Sequence, residues 1–287
     1  MVDPADVAMP FRAASPEQDG AQHPLLDYAI NRLRRPGAYD ELSPLALTTA
    51  DDLEIRQMMA TYFGLVAEVD TQLGRIIDFL KASGQYDRTL IVVTSDHAEM
   101  LGEHHMWAKE IYFDQSFHVP LVIRDPRPAA DPARGRRVTA FTEAIDVMPT
   151  ILDWLGGTVP RAVDGVSLTP FLLGDTPADW RTEVFFEHDF RSVASQAVEQ
   201  ALGLTSDQCS YAVIRDAHYK YVHFAALPPL LFDIAADPHE TQNLTEDPAL
   251  QAVVLKYAQK MLNWRLTEVD RTLTNMELTG EGLVSRP

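Results

Sequence analysis

The stretch Thr94-Ser95-Asp96-His97-Ala98-Glu99-Met100-Leu101-Gly102-Glu103-His104-His105-Met106-Trp107-Ala108-Lys109 gathers the residue types that can do chemistry. A carboxylate oxygen beside an imidazole nitrogen, as in Asp96-His97, suits a divalent ion such as Zn²⁺ or Mn²⁺, or Ca²⁺ with a flexible shell. Taken alone, the two-residue pair fits slightly better with Asp96 capping the next turn and His97 as a hydrogen-bonded core imidazole. The neighbours add weight to the metal reading. His97, His104, His105 and Lys109 fall within 13 residues, and Gly102 permits a tight turn between them. A lysine beside a metal can hold one oxygen of a tetrahedral anion as a point charge. A surface salt bridge for Lys109, and loop solvation for at least one of His104 and His105, stand beside these readings.

The elements that must position this stretch follow from patterning. Thr89-Leu90-Ile91-Val92-Val93-Thr94 is a short apolar run with β-branched residues. It reads as a strand buried on both faces, as in a parallel sheet covered by helices. Ligands bind beyond the carboxyl ends of strands in open α/β sheets, so Asp96 and His97 stand where sites form. Val119-Pro120-Leu121-Val122-Ile123 reads as a second strand with Pro120 at its start or near an edge. Before them, Thr49-Ala50-Asp51-Asp52 resembles a capping box. Met58, Tyr62, Leu65, Val69, Leu73, Ile76, Ile77 and Leu80 then recur at helical steps, up to a stop at Gly84. Thr142 to Leu155 has helical spacing as well, with Pro149 in or near its first turn.

Alternating helices and buried strands indicate an α/β layered fold with a mostly parallel sheet. After Pro160–Pro177 the character changes. The runs 183–187, 211–215, 219–224 and 231–233 and a helix over about 248–266 predict a small antiparallel α+β subdomain. The expected division is an irregular lid or connection over 1–50, in which only Leu25 to Leu33 suggests a helix, and the α/β part over 51–175. The sheet-and-helix subdomain follows over 176–266, with a polar arm over 267–287.

Composition bounds the function. The chain has 287 residues, 46% hydrophobic and 23% charged, which excludes disordered, collagenous and coiled-coil classes. Its formal charge of −18 argues against non-specific binding to nucleic acid or an anionic membrane. An anionic substrate remains compatible, because a local cation reverses the field within one cleft. The single cysteine, Cys209, allows no intrachain disulfide and no cysteine-rich zinc site. Cys209 reads as an inert small hydrophobe, His188 as a strand-end hydrogen-bonding group, and His218, His223 and His239 as structural. Arg134, Arg136 and Arg137 read as a solvated turn. With no signal-peptide pattern and no long apolar run, a cytoplasmic location is expected.

Thr94-Ser95-Asp96-His97, then Leu101-Gly102-Glu103-His104, Lys109 and Val119-Pro120-Leu121 resemble the second half of type I sulfatases, members of the alkaline phosphatase superfamily. Ile145-Asp146-Val147-Met148-Pro149-Thr150 resembles that family's helix. Leu231-Phe232-Asp233, Asp237-Pro238-His239-Glu240 and Asn243-Leu244 resemble its closing sheet and turn. Tyr221 to Pro229, Trp264-Arg265 and Asp270 to Thr274 resemble the phosphonate monoester hydrolase branch.

The resemblance implies a metal-dependent hydrolase of sulfate, phosphate or phosphonate esters acting on a small anionic ester. It implies Asp96 and His97 as ligands of one divalent ion (Mn, Ca or Zn) and Lys109 as the contact to sulfuryl or phosphoryl oxygens. His104 is a candidate pocket residue. Ala98 departs from the glycine usual after the Asp-His pair. The family's nucleophile is a formylglycine made within Cys/Ser-x-Pro-x-Arg, and these 287 residues contain no such motif. The expectation is therefore the C-terminal half of an alkaline phosphatase-like fold, inactive alone. The alternative is a non-catalytic protein acting through pairing with a second chain, or as a homo-oligomer through the C-terminal arm.

Overall fold

A computed structural model of the chain describes residues 2–33, 50–109, 111–192, 195–268, 276–280 and 282–285. Thr49, Asp270 to Thr274, and much of the expected lid and arm lie outside the described residues. Helices α1 (Pro16–Gly20) and α2 (Pro24–Leu33) precede the long α3 (Asp52–Ala82). Then come β1 (Ile91–Thr94), α4 (Asp114–Phe117), β2 (Leu121–Arg124), α5 (Val147–Trp154), α6 (Thr169–Leu172) and β3 (Glu183–Asp189). The rest is α7 (Ala197–Leu202), β4 (Ser210–Asp216), β5 (Tyr219–Phe224), β6 (Leu230–Asp233), α8 (Gln251–Glu268), β7 (Met276–Thr279) and β8 (Gly282–Ser285).

The capping box that starts α3 is Asp51 with Glu54. Asp51 Oδ1 accepts from Glu54 N and Glu54 Oε2 from Asp51 N, both at 2.9 Å. The helix stops where Gly84 takes φ +66. Its spacing is helical as expected, but only Ile55, Met59 and Ala60 are buried, while Leu65, Val69, Ile76 and Phe79 stand exposed.

The expected parallel pairing is corrected by the register. β1 and β2 run antiparallel, from Ile91 opposite Arg124 to Thr94 opposite Leu121. A parallel return needs a crossover of a dozen residues or more, usually a helix. The segment from 95 to 120 instead contains one short 3₁₀ turn and the four-residue α4, and it doubles back. An apolar run reports burial, and burial does not distinguish the two directions.

The second sheet, in the order β3-β4-β5-β6, is antiparallel throughout, and its strands stand where patterning puts them. Side chains alternate between its faces. Val213, Val222, Phe224, Leu230 and Phe232 face a core completed by Leu25, Leu26, Ala29 and Ile30 of α2 and by Met100, Met106, Tyr112 and Phe113. Ala212, Ile214, Tyr221 and Leu231 face Tyr257 and Met261 of α8. The stretch 100–113 is thus anchored in the larger core, which fixes the loop carrying the candidate site.

A buried carboxylate organises the start of α5. Asp146 accepts from Val166 N at 2.8 Å and from both Arg181 Nη atoms at 2.7 Å. Gly165 lies against this turn, and a Cβ there would sit 2.1 Å from the Ile145 carbonyl oxygen. Gly165→Ala must displace backbone, so a loss of about 3 kcal/mol is expected, read as a lowered urea midpoint.

Candidate functional site

β1 ends at Thr94, and the chain turns at once. Ser95 Oγ donates to the His97 carbonyl at 2.7 Å and lies 3.4 Å from Asp96 Oδ1, holding the turn. Asp96 projects into solvent with its side chain 82% exposed, and His97 is partly exposed. The two side chains converge, with His97 Nε2 3.5 Å from Asp96 Oδ2. His97 Nδ1 lies 2.8 Å from the Ala98 carbonyl, an acceptor, so Nδ1 carries the proton in the neutral ring. Nε2 then keeps its lone pair on the side of the carboxylate. A ligating imidazole needs this tautomer and this backbone tether. The donor set therefore fits a divalent ion. Among the described residues no group of three His, Cys, Asp or Glu side chains that could hold a metal comes together, so Asp96 and His97 supply two ligands at most.

Desolvation at Asp96 is outweighed by the His97 ring, the His97 and Asp96 backbone N–H groups and Lys109, so its carboxyl lies below the usual carboxylate range. Lys109, exposed at the far end of the loop, is thus close enough to act on Asp96. The structure brings Asp96 and His97 together at the end of β1, and Lys109 stands exposed at the far end of the loop.

His104 does not join them. It is 1% exposed, stacks on Phe113 with ring centroids 3.9 Å apart and 2° between planes, and points Nδ1 at Asp19 from 3.6 Å. His105 is also buried, with Nδ1 2.6 Å from Asp19 Oδ2. Loop solvation therefore describes neither histidine. Burial raises the Asp19 carboxyl, but His104, His105 and the Ala13 N–H more than offset this and hold it well below its ordinary value.

The loop itself is strained. Leu101, His104, His105 and Ala108 all take positive φ, between +48° and +64°, alongside Gly102 at +89°. Left-handed backbone costs a non-glycine residue about 1–3 kcal/mol and persists only where surroundings over-determine it. Here Glu99 Oε1 accepts from Ala108 N at 2.6 Å and Leu101 N at 3.3 Å, and Met100 N donates to the Ala108 carbonyl at 3.0 Å. Ser95, Glu99 and Asp19 are residues that sequence reasoning missed. Ser95 and Glu99 lie within the motif, but Asp19 sits 86 residues from His105 and nothing local marks it.

His223, His239 and Cys209 serve packing. His239 stacks on Phe11 at 3.9 Å, and Tyr221 Oη lies 3.0 Å from His223 Nδ1. Cys209 is fully buried, and burial pushes its thiol up. Arg134, Arg136 and Arg137 stand exposed around Gly135 at φ +75, and Arg136 donates to the Gly174 carbonyl and to Thr176 Oγ1, each at 2.6 Å.

Comparison with known proteins shows the family. Residues 4–157 match the family Sulfatase, and residues 102–267 match the family N-sulphoglucosamine sulphohydrolase, C-terminal. The chain is 50% identical over 281 residues to the multifunctional alkaline phosphatase superfamily protein PehA of Trinickia caryophylli, across 98% of this chain and 54% of that protein. The crystal structure of a phosphonate monoester hydrolase of Agrobacterium radiobacter superposes on all of this chain, covering 56% of its own length, with a TM-score of 0.91 at 45% identity. The phosphonate monoester hydrolase of Silicibacter pomeroyi does so with a TM-score of 0.88 at 40% identity, over 55% of its length. The chain spans about half the length of each of these relatives.

Proposed function

Because the chain belongs to the sulfatase family of the alkaline phosphatase superfamily, we propose that it carries part of the active site of a metal-dependent hydrolase of sulfate or phosphonate esters. The observation that supports this most is the convergence of His97 Nε2 on Asp96 Oδ2 at the end of β1, with Lys109 acting on the same carboxylate. Asp96 and His97 would hold one divalent ion. Such an ion supplies Lewis-acid polarisation of an ester oxygen.

This chain's own residues do the rest of what can be assigned. The Ala98 carbonyl fixes the His97 tautomer, and Ser95 fixes the turn that presents Asp96. Lys109 offers a point charge to an oxygen of the tetrahedral anion, which a chain of charge −18 otherwise repels. Nucleophilic attack is assigned to no residue here, since the formylglycine motif is absent from these 287 residues.

The test is hydrolysis of 4-nitrophenyl sulfate and a 4-nitrophenyl phosphonate monoester in Mn²⁺. It is run on the purified chain and on the chain joined to a family partner segment that carries a Cys-x-Pro-x-Arg motif. No turnover by the chain alone, and turnover on joining that Asp96→Ala abolishes, are expected. Turnover that survives Asp96→Ala overturns the reading.

A second reading, action through pairing, is favoured by α3. Leu53, Leu65, Val69 and Phe79 are each more than half exposed on this one helix, an apolar surface of the kind that marks an interface. The β7–β8 hairpin is a two-stranded unit of a kind only marginally stable alone, which suits an arm that docks on a second copy. Sedimentation of the purified chain distinguishes a monomer from that homo-oligomer.

A further inference from the structure

The loop from Ala98 to Lys109 connects the proposed metal ligands to the proposed anion contact through four left-handed non-glycine residues. Its first half is tied to neighbouring backbone. Ala98 N donates to the Ser116 carbonyl at 3.0 Å, and Glu99 closes Leu101 onto Ala108. The two strained histidines, His104 and His105, lie in the second half, just ahead of Lys109. One side chain reaches both. Asp19, itself only 9% exposed, has Oδ2 2.6 Å from His105 Nδ1 and Oδ1 3.6 Å from His104 Nδ1. The same Oδ2 accepts from Ala13 N at 3.1 Å, and His104 N donates to the Phe11 carbonyl at 3.0 Å. A carboxylate on α1 therefore fastens the turn at 104–105 to the segment 11–13.

His104 has no choice of partner elsewhere. Its ring is sandwiched against Phe113, and no hydrogen-bond partner meets its buried Nε2. Were the ring to rotate, it would forfeit Asp19 as well. A φ of about +50° at adjacent histidines needs an outside constraint, and Asp19 is the polar group placed to give it.

We infer that Asp19 is a positioning residue. It holds the left-handed His104–His105 turn and thereby sets where Lys109 stands relative to Asp96 and His97. The inference rests on the reading of Asp96, His97 and Lys109 as parts of one site, while the clamp itself does not. Asp19 touches no reacting atom, so its role is to place the anion contact.

The experiment uses the full chain and two variants. Asp19→Asn keeps shape and removes charge. His105→Gly removes the partner and suits a residue at φ +56. Amide hydrogen exchange is read at Gly102, His104 and Met106 in the loop and at Val213 and Val222 in the sheet. Either variant is expected to speed the loop amides by about 10–100-fold and leave the sheet amides unchanged. Mn²⁺ is then titrated while the His97 ring and Lys109 side-chain NMR signals are followed. In the wild-type chain both broaden. In Asp19→Asn the His97 broadening persists and the Lys109 broadening falls.

Equal acceleration in loop and sheet, or in neither, overturns the clamp, and so does unchanged Lys109 broadening in Asp19→Asn. If Mn²⁺ broadens neither signal in the wild-type chain, the metal reading fails instead, and the exchange rates still decide the clamp. Should Asp19→Asn not fold, the same measurements on His105→Gly decide it.

Discussion

Methionine in place of Lys220 is expected to destabilise the chain by about 3–5 kcal/mol, seen as a lowered urea midpoint at unchanged slope. Lys220 is fully buried in the β5 row that also carries Val222 and Phe224. Its Nζ lies 2.9 Å from Asp114 Oδ1 and 2.5 Å from Glu240 Oε1, and Glu240 is itself fully buried. Asp114 also takes Arg215 Nε at 2.7 Å and offers its own N–H to Glu240 Oε2 at 2.9 Å. Removing the ammonium leaves two carboxylates facing each other in a low-dielectric interior. Arg215 partly compensates Asp114, and among the described residues no other cation pairs with Glu240.

The pH dependence follows in sign. Burial already raises Glu240 above its ordinary 4.5, though Lys220 opposes this. Without Lys220 it rises further, so the variant's native state binds a proton that the unfolded chain, near 4.5, does not. The variant therefore regains stability as pH falls from 7 toward 4.5, and its deficit against wild type narrows over that range. Adding Glu240→Gln to the variant removes the uncompensated charge and should recover much of the loss at pH 7. A deficit that is flat with pH, or a double variant no better than the single one, would sink this account.

Lys220 marks where sequence reading ran out. Strand β5 is legible as a strand from Tyr219 to Phe224, but nothing within that run marks Lys220 as the buried member of a charge network. Its partners are 106 and 20 residues away, one before it and one after, and neither distance has a sequence signal. Asp19 is hidden for the same reason. The helix stripe of α3 is legible because i, i+3 and i+4 spacing is local. What it packs against is not, and among the described residues most of that stripe meets solvent. The placement of Asp96 and His97 is legible because both the strand that delivers them and the turn that presents them lie within a few residues. Loop solvation does not describe His104, because Phe113 and Asp19, neither of them local, draw it inward. The direction of β2 could not be read either, since apolarity is the same whichever way a strand runs.

Alanine in place of Asp96 is expected to do the reverse of the Lys220 change. Asp96 is 82% exposed, with Ser95 Oγ at 3.4 Å and the His97 ring at 3.5 Å from its carboxylate. Exposed contacts of this kind contribute little, so stability should stay close to that of wild type. Chemistry should not survive. In the chain joined to a formylglycine-bearing part, a lost metal ligand forfeits several kcal/mol of charge stabilisation at the developing anion, roughly 10²–10⁴ in kcat/KM. Mn²⁺ binding should fail in parallel, and extra Mn²⁺ should restore little, because His97 alone remains of the pair. Lys109→Ala separates the two roles. Metal binding should persist, while kcat/KM falls for anionic esters, since only the contact to the substrate's oxygens is lost. If Asp96→Ala lowers stability as much as Lys220→Met does and leaves turnover intact, the carboxylate is a turn cap and the metal belongs elsewhere.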